Sequence, residues 1–312
     1  MTQHKSTDQL TIAIPTYRRV KELKGLLRQI AESPMLRSCS KVIVVNDSGT
    51  ASELDKYKRE ILLNKNLTEA IDLDYLENDC NKGFPRTLMR LIENVHSRHM
   101  LVMADDDVLI EDEFLAIMAF LEDKDPDLCS PWWLYRDGRL GRGGEATRKV
   151  TYEEHRRCCG HVPGLIFNVE RVRKYLPLLE DRLNQGCAAA STYPSVILAI
   201  PLILENDNIW FYKGAVAREG HGSESGIKDF SGNHYAAAAS RIQQIAAFDE
   251  YILSFPRSDA RDRILRESRG WSIAKAIGAD PDLKAYMQLR MRGRSLAARL
   301  ARAGKKYLSI AR

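Results

Sequence analysis

Along the first 125 positions, short apolar runs alternate with segments whose apolar residues recur at helical spacing. Leu10–Ile14 (LTIAI) ends in Pro15-Thr16-Tyr17, and Val20, Leu23, Leu26, Leu27 and Ile30 then mark one face of a helix over Arg19–Ala31. The unit repeats. Lys41–Val45 (KVIVV) ends in Asn46-Asp47-Ser48-Gly49 and leads to a helix through Leu54, Tyr57 and Ile61. Ile71–Leu76 is followed by the loop Glu77–Gly83 and a helix through Leu88, Leu91, Ile92 and Val95. A fourth strand, His99–Met103, precedes a helix over Glu111–Leu121. Strands alternating with helices predict an α/β chain with a mostly parallel sheet in a Rossmann-like α/β/α sandwich.

After Pro126 the pattern loosens. Asp127–Tyr135 and Gly164–Asn168 read as strands, with a Gly- and Arg-rich loop or long hairpin over Arg136–Arg148 between them. A helix is expected from Val169 to Leu179. Another is expected over Tyr193–Leu204, kinked or divided at Pro201. Asn208–Tyr212 and Ala215–Arg218 read as closing strands, and a glycine-rich segment follows. Beyond Asn233 the residues favour helices, which divides the chain into regions 1–232 and 233–312, the second a helical extension.

Composition narrows the classes. Hydrophobic residues at 44% and charged residues at 29% fit a globular protein rather than a disordered one. The first ten residues carry no apolar signal core, and the longest apolar run, Val196–Leu204, is too short to span a bilayer, so a cytoplasmic protein is expected. Six scattered cysteines lack CxxC spacing and read as reduced thiols. The net charge of +5 is unevenly spread: nine Lys or Arg and no acid lie between Leu283 and the C-terminus. That basic amphipathic segment suits either an anionic membrane surface or a solvated helix packed on the rest of the chain. No nucleic-acid recognition motif accompanies it, so no nucleic acid is expected as partner.

The candidate chemistry sits at strand ends, where open α/β sheets bind ligands. Tyr17, Asp47, Asn81 and the triplet Asp105-Asp106-Asp107 each follow an apolar run, so the fold would gather them on one rim. Three adjacent carboxylates repel one another, and a divalent cation is a natural counter-charge because hard cations take oxygen ligands. Magnesium and manganese use few protein ligands and complete their shells with phosphates, which makes a nucleotide diphosphate the natural second ligand. A solvated, helix-capping turn is the structural alternative.

The series Pro15-Thr16-Tyr17-Arg18, Val45-Asn46-Asp47-Ser48-Gly49, Asn81-Lys82-Gly83 and Ala104-Asp105-Asp106-Asp107-Val108-Leu109 resembles the family 2 glycosyltransferases of GT-A fold over roughly residues 10 to 220. The resemblance implies a metal-dependent transferase, inverting in outcome. It would move a sugar from a uridine or thymidine diphosphate donor to a glycan or lipid-linked acceptor in polysaccharide biosynthesis. Pro15, Thr16, Tyr17 and Arg18 would lie against the nucleoside, and Asp47 would bond the base. Asn81 and Gly83 would shape the donor loop, with Arg86 toward the phosphates. Asp105 and Asp106 would hold the ribose and diphosphate, and Mn2+ or Mg2+ would be carried by Asp105, Asp106 and Asp107. Two registers are open: Asp105 and Asp107 as the outer acids of a DxD signature, with Asp107 facing the metal, or a four-residue pattern in which Ala104 replaces the first acid and Asp106 faces it.

Further assignments follow from position. Asp181, then Glu180, are the candidate bases, since the usual acidic pair is replaced by Ser191-Thr192-Tyr193-Pro194; a solvated helix end is the other reading. His221, in a glycine-flanked loop, is a further metal-ligand candidate. Trp132 and Trp133 would stack on the acceptor, one of them being core because neighbours on a strand face opposite ways. The basic C-terminus would place the enzyme at the inner face of the cell membrane. A degenerate scaffold that binds nucleotide sugar or glycan is the rival reading. An aspartyl phosphotransferase on Asp47 is disfavoured because Gly49 stands where its second acid belongs.

Overall fold

The computed structural model describes residues 10–39, 41–143, 146–205, 208–220 and 238–268. Its strands are β1 (Leu10–Thr16), β2 (Lys41–Asn46), β3 (Leu73–Glu77), β4 (His99–Val102), β5 (Val108–Leu109), β6 (Leu128–Leu134), β7 (Leu140–Arg142), β8 (Arg148–Lys149), β9 (Ile166–Asn168) and β10 (Ile209–Arg218). They form one sheet in the order β3-β2-β1-β4-β9-β6-β10-β5, with β7 beside β6 and β8 beside β10. β1, β2, β3, β4, β6 and β10 share one direction; β9 and β5 oppose it. The sheet is therefore mostly parallel, and β9 is the strand whose reversal its short apolar run does not announce.

Alternation along each central strand builds two cores. Leu10, Ile12 and Ile14 of β1, Val42 and Val44 of β2, and Leu101 of β4 pack on one face with the helices Val20–Glu32 and Phe114–Lys124. Ala13, Ile43, Val45, Met100 and Val102 point to the other face, beneath Phe84–Asn94, Leu176–Asn184 and Pro194–Glu205. Burial of both faces explains the near-continuous apolar runs of the parallel strands.

The helix expected over Val169–Leu179 is two helices, Val169–Arg173 and Leu176–Asn184, the second beginning with Pro177 in its first turn. The two closing strands are one strand with an irregularity between Tyr212 and Ala217. Pro201 does not divide its helix, which runs through Pro194–Glu205. Proline cannot donate to the carbonyl four residues back, but the Tyr251 hydroxyl donates to that oxygen, Ile197 O, at 2.7 Å. Tyr251 lies on the helix Ala238–Leu253, and with Phe248, Ile252, Ile264 and Leu265 it belongs to the second core. The core thus continues past the boundary expected at residue 232, itself outside the described residues. No described helix is long and apolar enough to cross a membrane.

Candidate active site

The chain leaves β1 toward β2 and β3 on one side and returns to β4 on the other, so the strand order reverses between β1 and β4. A crevice opens at such a point beyond the carboxyl ends of the strands. Thr16 closes β1 there and the aspartate triplet follows β4. The two are joined directly: Thr16 Oγ1 donates to Asp105 Oδ2 at 2.7 Å.

Arg19, not Arg18, answers the triplet. Its Nη1 lies 2.8 Å from Asp106 Oδ2 and 3.3 Å from Asp105 Oδ1. Arg18 has φ +56°, a conformation L residues seldom adopt, and it places its guanidinium 5.0 Å from the centre of the exposed Tyr17 ring. The turn at Arg18 aims the next side chain into the crevice. Tyr57, fully buried, fixes that turn: its hydroxyl accepts from Arg19 N–H at 2.8 Å and lies 2.9 Å from Thr16 Oγ1. The chain continues from Tyr57 as a short π-helix, Lys58–Leu62, an irregularity frequent at functional sites.

The three aspartates differ in environment. Burial raises the Asp105 carboxyl to about 6, against the pull of Thr16 and Arg19. Burial raises Asp107 further, to about 8, with Asp106, Asp105 and Glu219 adding repulsion. Asp107 is 7% exposed; its Oδ1 accepts from Gly220 N–H at 3.2 Å, whereas Oδ2 is buried with no hydrogen-bond partner. An orphaned carboxylate oxygen of this kind costs free energy and is suited to a cation. Among the described residues no three His, Cys, Asp or Glu side chains converge as a metal cage. Gly220 packs so closely that a Cβ there would meet Asp106 O at 1.5 Å.

Asp47 closes the neighbouring part of the rim. Its Oδ1 accepts from Asn78 Nδ2 (2.6 Å) and Lys82 N–H (2.8 Å), and its Oδ2 from Gly83 N–H (2.8 Å). Three donors from residues 78–83 thus converge on one buried carboxylate, leaving Oδ2 a lone pair. Asn81 Oδ1 also accepts from Gly83 N–H at 2.9 Å. Gly49, at φ +65°, lets the loop approach: a Cβ there would lie 2.6 Å from Asn81 N.

Arg86 is turned toward the helix Leu176–Asn184, donating to Asn184 Oδ1 at 2.8 Å and lying 3.7 Å from Glu180 Oε1. Glu180 and Asp181 are exposed, and Asp181 accepts from Gln185 on the following turn. Neither acid bonds to the triplet. Trp133 is core, 2% exposed, with its ring 4.5 Å from that of His161, while Trp132 is half-buried on the opposite face of β6. His221 and the basic segment beyond Leu283 lie outside the described residues. Arg19, Tyr57 and Gly220 are contributors that motif reading missed. Tyr57 reads as one member of an apolar helical stripe, and the doubled arginine after Tyr17 was the available signal for Arg19.

The sequence profile described as Glycosyl transferase family 2 matches residues 11–174, more than half of the chain. The chain belongs to glycosyl transferase family 2. As a member of that family it is a glycosyltransferase, and the similar solved structures share its GT-A fold. S. aureus TarS residues 1–349 superposes with a TM-score of 0.57 at 16% identity, covering 83% of this chain and 70% of that one. The same protein in complex with UDP-GlcNAc gives 0.56 at 17% identity, covering 83% and 71%. The mannosyltransferase PcManGT from Pyrobaculum calidifontis, in complex with GDP-Man and Mn2+, gives 0.54 at 14% identity, covering 97% and 81%. No curated protein sequence matches the chain.

Proposed function

We propose that this glycosyltransferase takes its sugar from a nucleotide-diphosphate donor, of uridine or thymidine type, and passes it with inversion to a glycan or lipid-linked acceptor. The observation that carries the reading is the buried, unpartnered Asp107 Oδ2 in the crevice between β1 and β4. The complexes of TarS with UDP-GlcNAc and of the mannosyltransferase with GDP-Man and Mn2+ support a nucleotide-sugar donor.

In this reading Asp107 and Asp105 hold Mn2+ or Mg2+, in the register that makes them the outer acids. The bound ion would neutralise charge developing on the leaving diphosphate. Pro15, Thr16 and Tyr17 line the nucleoside side, with Tyr17 supplying an exposed ring. Asp47 contributes by fixing residues 78–83 and by the lone pair left on Oδ2. Arg86 braces the donor loop from the Glu180 side. Asp181 or Glu180 takes the proton of the attacking hydroxyl. Trp132 offers an aromatic face to the acceptor, and the basic segment beyond Leu283 rests on an anionic membrane surface.

The test is nucleoside diphosphate release from uridine, thymidine and guanosine diphosphate sugars, with and without Mn2+. Native protein is compared with Asp107→Asn, Asp181→Asn and Glu180→Gln. Metal-dependent release from one donor, abolished by Asp107→Asn, is expected. Metal-independent release, or full activity in that variant, would sink the assignment.

A further inference from the structure

Both oxygens of Asp105 are engaged: Thr16 donates to Oδ2, and Arg19 Nη1 lies 3.3 Å from Oδ1. The same nitrogen takes Asp106 Oδ2 at 2.8 Å. Burial opposes the charge of Arg19, but Asp105 and Asp106 outweigh it and hold the guanidinium firmly protonated. A cation arriving at these carboxylates therefore meets a positive charge already seated. Arg19 stands just before the helix Val20–Glu32 with its side chain 25% exposed, so rotation about its own bonds could release it without unfolding the helix. A diphosphate is the partner it would accept in exchange, because guanidinium pairs with phosphate oxygens in the same fork geometry as with carboxylates.

We propose that Arg19 is a resident counter-ion of the aspartate triplet, which makes divalent-cation binding conditional on a nucleoside diphosphate. In the free protein Arg19 competes with the cation. When the diphosphate is present, Arg19 transfers to it and the carboxylates become available. The two ligands then bind cooperatively, and by linkage each strengthens the other by the same factor. This inference rests on the donor and metal reading above.

Mn2+ binding is measured directly from the electron paramagnetic resonance signal of the free ion, without and with saturating UDP or GDP, correcting for the complex the nucleotide forms in solution. Native protein is compared with Arg19→Gln, Arg19→Met and Arg19→Lys, each checked for a native melting transition. Two neutral variants guard against one failing to fold. In Arg19→Gln or Arg19→Met, Mn2+ without nucleotide is expected to bind about tenfold more tightly than in the native protein, and the strengthening by nucleotide to shrink by a similar factor. Arg19→Lys keeps the charge and is expected to stay close to native. If the native protein binds both ligands and the neutral variants leave affinity and coupling unchanged, Arg19 is not a counter-ion and this inference alone fails. If the native protein binds neither ligand, the donor reading fails with it.

Discussion

Replacing Asp47 with Asn tests how the rim of the site is held. The side chain is 4% exposed, and its charge receives three donors: Asn78 Nδ2, Lys82 N–H and Gly83 N–H. In Asp47→Asn one orientation of the amide keeps an oxygen for Asn78 and Lys82 but turns an NH2 group toward Gly83 N–H. The flipped orientation confronts two donors instead of one, so the first is preferred. At least one charge-assisted bond is then lost, and two donors face each other. At about 1.5–3 kcal/mol for a bond to a charged group, plus the repulsion of the facing donors, with Gly83 N–H left only Asn81 Oδ1, the change costs about 2–4 kcal/mol. For a chain of this size each kcal/mol lowers the melting temperature by about 2 °C, so a fall of about 4–8 °C is expected by scanning calorimetry. Hydrogen exchange at Lys82 and Gly83 should accelerate, while amides of the helix Val20–Glu32 keep native protection. A melting temperature within about 1 °C of native, with Lys82 and Gly83 as protected as before, would refute the clamp.

Four further outcomes follow from the same structure. Tyr251→Phe removes the donor that serves Ile197 O above Pro201, and is expected to cost about 1–3 kcal/mol in urea unfolding; an unchanged midpoint would show that another group serves that carbonyl. Gly220→Ala forces a Cβ into Asp106 O and should lower diphosphate release by about tenfold or more with the fold retained, so native turnover in a folded variant would contradict the packing. Burial raises Glu267 from 4.5 to about 7, so its contribution is full below pH 4.5 and is lost as pH rises through 7. Glu267→Gln mimics the protonated form and should gain in melting temperature relative to native across that window; a difference that does not change with pH rejects the idea. The opposite arm belongs to His155, which burial holds neutral by lowering it from 6.5 to about 3: its contribution is full above pH 6.5 and disappears as pH falls through 3.

The rim was legible because both faces of β1, β2 and β4 are buried: apolar runs marked them, β3 is the half-buried edge strand beside them, and the polar residues after all four fell at their carboxyl ends. Direction was not legible, since Ile166–Asn168 reads equally well either way and pairs antiparallel with β4 and β6. Nor was the choice between Arg18 and Arg19, which depends on the positive φ of Arg18. Asp47 reads as an available acid, yet its three donors come from residues 31 to 36 positions later, a convergence that depends on β2 pairing with β3. Pro201 signalled a kink or a division, and the donor that serves the carbonyl it leaves bare, Ile197 O, comes from Tyr251, 54 positions after Ile197. His221 and the basic segment beyond Leu283 fall outside the described residues.

The helix Ala238–Leu253 and the residues around Ile264 lie in the same core as β1, β2 and β4. During synthesis, the side chains that complete that core emerge well after the strands they help to cover. Until they do, the apolar face of Pro194–Glu205 and the bare carbonyl of Ile197 stay uncovered. The N-terminal half can form its local strand-helix units early, but closure waits for contacts such as that of Arg263 with Glu153, 110 positions apart, and such separations slow folding. Over that interval the nascent chain presents a sticky surface, open to aggregation and to chaperones until residues 238–268 have emerged.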